Sequence, residues 1–210
     1  MTNLQVNPNR VLTDFDRNLY SQTVAEMYDI VPMTGHKIAD SMVQQGFVYE
    51  MAKKHSKRGN RILSAGSYQD IAAEYLRFQG YGVYDVDPVL NYDLHTFVGK
   101  NPGLFDTIIS TSVLEHTTDD EQFIDDICKL LKSGGYGIMT MDFKDDWQQG
   151  QPVPYTSNRF YTAFDLNVRL YAILQNNGAQ LISTTDYNDK DRFVWDGINY
   201  SFATYVFKKD

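Results

Sequence analysis

The chain predicts an α/β fold on a mostly parallel sheet, and three observations carry that expectation. From Arg61 onward, short β-rich runs alternate with helical periodicity, the pattern of strands joined by crossover helices. Two of the apolar runs, Arg61–Ala65 and Asp106–Thr111, stop abruptly at polar residues, as buried strands do where a sheet edge meets a ligand crevice. The last two runs differ: the segment between them, Asn188 to Asn199, is polar, aromatic and too short for a clear crossover helix, so these strands are expected to pair antiparallel.

In chain order, helices are expected around Val24–Tyr28 and Ile38–Lys54, the second with Ile38, Met42, Gln45, Tyr49 and Ala52 at helical spacing. Residues 1–58 are read as a helical flank or lid across the carboxyl edge of the sheet, and 59–210 as the sheet domain, within one compact unit. Strands are expected at Arg61–Ala65, Gly82–Val86, Asp106–Thr111, Tyr136–Asp142, Gln180–Asp186 and Ser201–Phe207, with a short one near Tyr92–Phe97. Ile71, Ala72, Tyr75, Leu76 and Phe78 form one helical stripe, and Phe123, Ile124, Ile127, Leu130 and Leu131 another, closed by Lys132-Ser133-Gly134-Gly135. A third helix starts at Thr162, which Asp165 matches as a capping box; it buries Leu166, Leu170, Ile173 and Leu174 and ends at Gly178.

Composition narrows the function. With 210 residues the chain supports one well-buried core, and 42% hydrophobic with 22% charged residues excludes disorder. A net charge of −8 argues against a nucleic-acid partner, which would need clustered cations. The basic stretch Lys53-Lys54-His55-Ser56-Lys57-Arg58 is better explained as a helix C-terminus. No apolar run is long enough to span a bilayer, and the polar start Met1–Arg10 does not resemble a signal peptide. Cys128 stands alone, which forbids an intramolecular disulfide or a cysteine-cluster metal site. The expectation is a cytoplasmic protein without nucleic-acid or membrane partners; a homo-oligomer stays open.

The motifs, taken in order, resemble the class I S-adenosylmethionine-dependent methyltransferases of the small-molecule branch, over roughly Arg61 to the C-terminus. Ile62-Leu63-Ser64-Ala65-Gly66-Ser67 matches the first motif, Val83-Tyr84-Asp85-Val86-Asp87-Pro88 the second, and Phe105 to His116 the fourth. Leu130 to Tyr136 matches the turn into strand five, and Asn158-Arg159-Phe160-Tyr161-Thr162 a further small-molecule feature. The resemblance implies a Rossmann-like sheet of seven strands, mostly parallel with the last antiparallel, helices on both faces, and S-adenosyl-L-methionine as cofactor.

It also implies roles. Ala65, Gly66 and Ser67 would approach the methionine moiety, with Gly66 wanted for its missing side chain. Asp87, by position ahead of Asp85, would accept the ribose hydroxyls; Asp93 and Leu94 would lie beside the adenine, and Ser110 and Thr111 beneath the amino acid end. The first motif departs from the family pattern, because Ser64 holds the place of an acid and Tyr68 and Asp70 hold the places of two glycines. Asp70 is expected to supply the missing carboxylate. His116 is the candidate base, against a local capping role, with Glu115 then solvated or holding a helix start. Asp142 and Trp147 would border the acceptor, unless their loop is simply solvated; Arg159 would clamp a phosphate or carboxylate, or else pair with a helix carboxylate; and Tyr161 is a further candidate substrate contact. No metal is expected, since Thr111 stands where metal-dependent relatives have a carboxylate.

The expected activity is methyl transfer to a small-molecule acceptor, a sugar or nucleotide-sugar hydroxyl. A non-catalytic binding or scaffold module on the same fold is the rival. A nicotinamide-dependent oxidoreductase is disfavoured, because Ser67-Tyr68-Gln69-Asp70 puts bulk and negative charge where a pyrophosphate would sit.

Overall fold

The computed structural model describes residues 6–32, 37–188 and 193–210. A short strand β1 (Asn9–Arg10) leads into helices α1 (Asp14–Leu19), α2 (Ser21–Ile30) and α3 (Met42–His55). Then follow β2 (Arg61–Ala65), α4 (Ile71–Phe78), β3 (Gly82–Val86), α5 (Leu94–Val98), β4 (Phe105–Thr111), α6 (Asp120–Leu130) and β5 (Leu131–Phe143). A π-helical turn, Asp165–Arg169, opens α7 (Leu170–Asn176), and the chain closes with β6 (Ala179–Leu181), β7 (Thr185–Asp186), β8 (Phe193–Trp195) and β9 (Ile198–Lys209).

The main sheet has seven strands in the order β3-β2-β4-β5-β9-β6, with β8 joined to β9. β3, β2, β4 and β5 run parallel, and β9 inserts antiparallel between β5 and β6. The mostly parallel sheet with an antiparallel closing strand is therefore present. The strands read at 61–65 and 82–86 keep those bounds because each is a short β-rich run framed by turn residues.

Three expectations on elements are corrected. The run Gln180–Asp186 is divided between β6 of the main sheet and β7, which pairs with β1 in a separate two-stranded sheet. The run Tyr92–Phe97 is not a strand: Asp93 accepts a hydrogen bond from the Thr96 amide at 2.9 Å and caps α5 instead. Lys132 to Gly135 does not lie outside a strand. It falls within β5, as an irregularity between the pairs Phe105↔Leu131 and Thr107↔Tyr136.

Two apolar layers hold the sheet. One face packs Leu63, Ile108, Met139 and Tyr205 against Ile124, Ile127, Leu170 and Leu174 of α6 and α7. On the opposite face, Ile62, Ile109, Ile138 and Val206 pack against Phe47, Val48 and Ala52 of α3 and Ala72 and Tyr75 of α4. The alternation along each strand sends neighbouring side chains into different layers. The N-terminal helices thus share the sheet's own core, and α3 covers the middle of the sheet. Among the described residues no helix is long and apolar enough to cross a membrane.

Candidate functional site

A cavity of about 1070 Å³ opens along the carboxyl ends of β3, β2, β4, β5 and the start of β9. Asp87, just past β3, marks one end. Asp142, on β5, lies three strands away, roughly 14 Å at the usual spacing between strands. Lys37, Ile38, Ser41, Gln44 and Gln45, from the N-terminal part of the chain, also line the cavity.

The turn after β2 shows why the first motif tolerates its missing glycines. Gly66 has φ +80°, and a Cβ there would fall 2.5 Å from both methyls of Val113, so neither conformation nor space admits another residue. Its hydrogen is required by the protein's own packing as well as by the cavity it lines. Gln69 takes φ +61° and lets the chain turn into α4 without a second glycine. Asp70 then folds back into the core: Ser64 Oγ donates to it at 2.7 Å and Thr111 Oγ1 at 3.4 Å. A buried carboxyl therefore stands beside Ser64, where the motif lacks its acid. Burial raises its pKa, opposed by the Ser64 hydroxyl and the charge of Lys37.

The two acids of the second motif have different surroundings, because Asp85 lies within β3 and Asp87 just past its end. Asp85 pairs with Arg77 of α4, while Asp87 faces the cavity. The Asp87 carboxylate accepts the Tyr68 amide at 3.0 Å and the Val89 amide at 2.8 Å, and both of its oxygens keep a free lone pair. Leu94 and Asp93 line the same end, although both Asp93 oxygens already take bonds from Thr96.

After β4 the chain bends through Ser112, at φ +56°, into a 3-10 turn over Leu114–His116. His116 lines the cavity, exposed, with Nδ1 2.6 Å from the Thr156 carbonyl oxygen. A carbonyl only accepts, so Nδ1 carries a proton, and in the neutral ring the lone pair is on Nε2. Glu115, which the capping alternative left solvated or at a helix start, is fully buried in the 3-10 turn, with one oxygen accepting from Ser112 Oγ at 2.6 Å. Asp142 lines the cavity, takes a long bond from Ser157 Oγ, 3.4 Å, and feels the charge of Glu115. Burial, and then the charge of Glu115, push the Asp142 pKa well above the usual carboxylate range.

Six expected site residues do not line the cavity. Ala65 is fully buried in β2; Ser110 is buried and donates to the Ala65 carbonyl at 2.9 Å; Ser67 is also buried. Trp147 packs edge-on against Phe160 in the second core layer. Tyr161 is fully buried, and its hydroxyl donates to Asp120 at 2.9 Å. Arg159 does not reach the cavity to clamp an anion: it pairs with Asp120 at 3.0 Å and Asp165 at 3.2 Å, in a cluster that Arg169 completes. The other reading of Arg159, pairing with a helix carboxylate, is the arrangement present: Asp120 opens α6 and Asp165 opens the π-helical turn. Conversely, Lys37, Tyr68, Ser112, Trp195 and Tyr200, none assigned to the site from sequence, line the cavity.

Among known proteins, a family described as "Methyltransferase domain" matches residues 24–190. No curated protein matches the chain. Among solved structures, TehB from Haemophilus influenzae is 21% identical with a TM-score of 0.57, covering 79% of this chain and 62% of its own. The chain thus spans less than two thirds of that protein's length. The 1,6-didemethyltoxoflavin-N1-methyltransferase of Burkholderia thailandensis, solved with 1,6-didemethyltoxoflavin and S-adenosylhomocysteine, is 17% identical with a TM-score of 0.55, covering 94% of this chain and 90% of its own. A TehB-like SAM-dependent methyltransferase from Corynebacterium glutamicum is 19% identical with a TM-score of 0.53, covering 92% of this chain and all of its own. At these identities the structures share the fold.

Proposed function

The chain belongs to the methyltransferase-domain family, matched over residues 24–190, and from that premise we propose that it transfers a methyl group from S-adenosylmethionine to a small molecule bound in the cavity. The observation that carries this is Asp87: a carboxylate at the end of β3, fixed by two backbone amides, facing a cavity of about 1070 Å³ with lone pairs to spare. That volume is at the upper end of the range for small-ligand sites, ample for a nucleoside cofactor with an acceptor beside it. S-adenosylhomocysteine in the Burkholderia neighbour supports the choice of cofactor.

When bound, S-adenosylmethionine supplies a methyl group already activated by its sulfonium. What remains for the protein is to position the acceptor, exclude water and handle a proton. Asp87 is placed to accept the ribose hydroxyls, Leu94 to flank the adenine, and Gly66 and Thr111 to line the methionine end. His116, oriented through Nδ1 by the Thr156 carbonyl, offers Nε2 to a hydroxyl proton. For a sugar acceptor, Asp142 is the expected contact that does line the cavity. A nucleotide sugar has less support, because Arg159 is engaged by Asp120 and Asp165.

Calorimetric titration with S-adenosylhomocysteine tests the proposal. Binding in the micromolar range is expected. The absence of heat at millimolar ligand would favour the non-catalytic module instead.

A further inference from the structure

The end of the cavity away from Asp87 holds two buried carboxyls, and among the described residues neither is in an ion pair. Glu115 is fully buried; one oxygen takes the Ser112 hydroxyl, and the other meets no donor among the described residues. Its neighbour Asp142, also buried, forms part of the cavity wall. Two buried carboxyls beside one another cannot both ionise at tolerable cost, and burial with the charge of Glu115 raises the Asp142 pKa well above the usual carboxylate range, so the two together carry one negative charge. Nearby cations are committed elsewhere or set apart: Arg159 and Arg169 are paired with Asp120 and Asp165. Lys37, on the N-terminal wall, feels both Asp70 and Glu115, and burial lowers its pKa.

Beside the pair stands an aromatic wall. Phe202 is the β9 partner of Asp142 in the sheet register, and Tyr200 and Phe193 pack against it with ring centres 5.7 and 5.2 Å away. All three line the cavity, as does Trp195. Aromatic faces next to a buried anion make a favourable site for a cation, which gains both from the ring quadrupoles and from the carboxyl charge.

We propose that this end takes its acceptor as a nitrogen base, held as the protonated amine between the Asp142–Glu115 pair and the aromatic wall. This rests on the methyl-transfer proposal and names the acceptor class within it. An anionic acceptor would meet the pair's like charge, and a neutral hydroxyl would leave that charge buried and unmatched. With an amine, the ammonium proton passes to the carboxylate of the pair. This leaves two neutral carboxylic acids and a neutral nitrogen with its lone pair free.

Binding of phenethylamine, 2-phenylethanol and phenyl phosphate to protein saturated with S-adenosylhomocysteine, followed by calorimetry, tests this. The amine is expected to bind at least about tenfold more tightly than the alcohol, a difference of about 1.4 kcal/mol, and phenyl phosphate most weakly. Asp142→Asn and Glu115→Gln should each erase most of that preference, with thermal melts showing that both variants fold. Equal binding of amine and alcohol, preference for the phosphate, or no binding by any of them overturns the inference. The preceding titration with S-adenosylhomocysteine keeps the two proposals apart: if it binds but the amine preference is missing, only the acceptor class fails.

Discussion

Replacing Gly66 with alanine tests how the turn after β2 is built. Two costs follow from the geometry. A left-handed conformation, φ +80°, costs an alanine about 1–2 kcal/mol relative to glycine. A Cβ 2.5 Å from both Val113 methyls must displace that side chain, at about 1–3 kcal/mol for overpacking. Gly66→Ala should therefore lose roughly 2–5 kcal/mol in urea unfolding. Val113→Ala, removing two methyls from a half-buried side chain, should cost about 1 kcal/mol by itself. In the double variant the two 2.5 Å contacts disappear and only a tight 3.1 Å approach to the residue 113 Cβ remains beside the conformational cost, giving a coupling energy of about 1–3 kcal/mol between the sites. A Gly66→Ala variant within about 0.5 kcal/mol of the parent, or a cycle with no coupling, would refute this explanation of the conformation.

Asp87→Asn should weaken S-adenosylhomocysteine binding by about 1–3 kcal/mol in calorimetry, whereas Asp85→Asn, at the carboxylate paired with Arg77, should leave it unchanged. His116→Ala should bind the cofactor product normally but turn over more slowly if the acceptor loses its proton to Nε2; undiminished turnover would remove that role. Asp142 gives a stability signature. Its folded pKa is raised by burial and by Glu115, so between about pH 4, the ordinary aspartate value, and its raised folded value the unfolded state binds fewer protons. This contribution to stability is present below pH 4 and lost as pH rises through the raised value. Urea midpoints across that window should fall with pH in the parent more steeply than in Asp142→Asn, and parallel profiles would contradict the assignment.

Much of the sheet was readable because its information is local. Runs such as Arg61–Ala65 and Gly82–Val86 carry β-rich composition between turn residues, and Thr162 with Asp165 spells out a helix start that the structure keeps through mutual hydrogen bonds. Tyr92–Phe97 misled because aromatic and β-branched residues raise strand propensity, while the Asp93 cap decided for a helix. The site was less readable. Strand ends located Asp87, Thr111 and Asp142 because the carboxyl edge of a sheet is fixed by topology. Loop side chains obey distant partners instead: Arg159 and Tyr161 turn toward Asp120, 39 and 41 residues away in sequence. Glu115 likewise has a distant partner, its backbone carbonyl accepting the Asn158 amide at 2.8 Å, and Lys37 reaches the cavity only because α3 packs across the sheet.

A crystal structure of the complex with S-adenosylhomocysteine would go furthest toward deciding what this cavity is for. The ribose hydroxyls should fall on the Asp87 carboxylate, with the sulfur directed along the strand ends toward Asp142. A nucleoside bound elsewhere, or a pocket at Gly66 closed by Tyr68 and Gln69, would contradict the assignment.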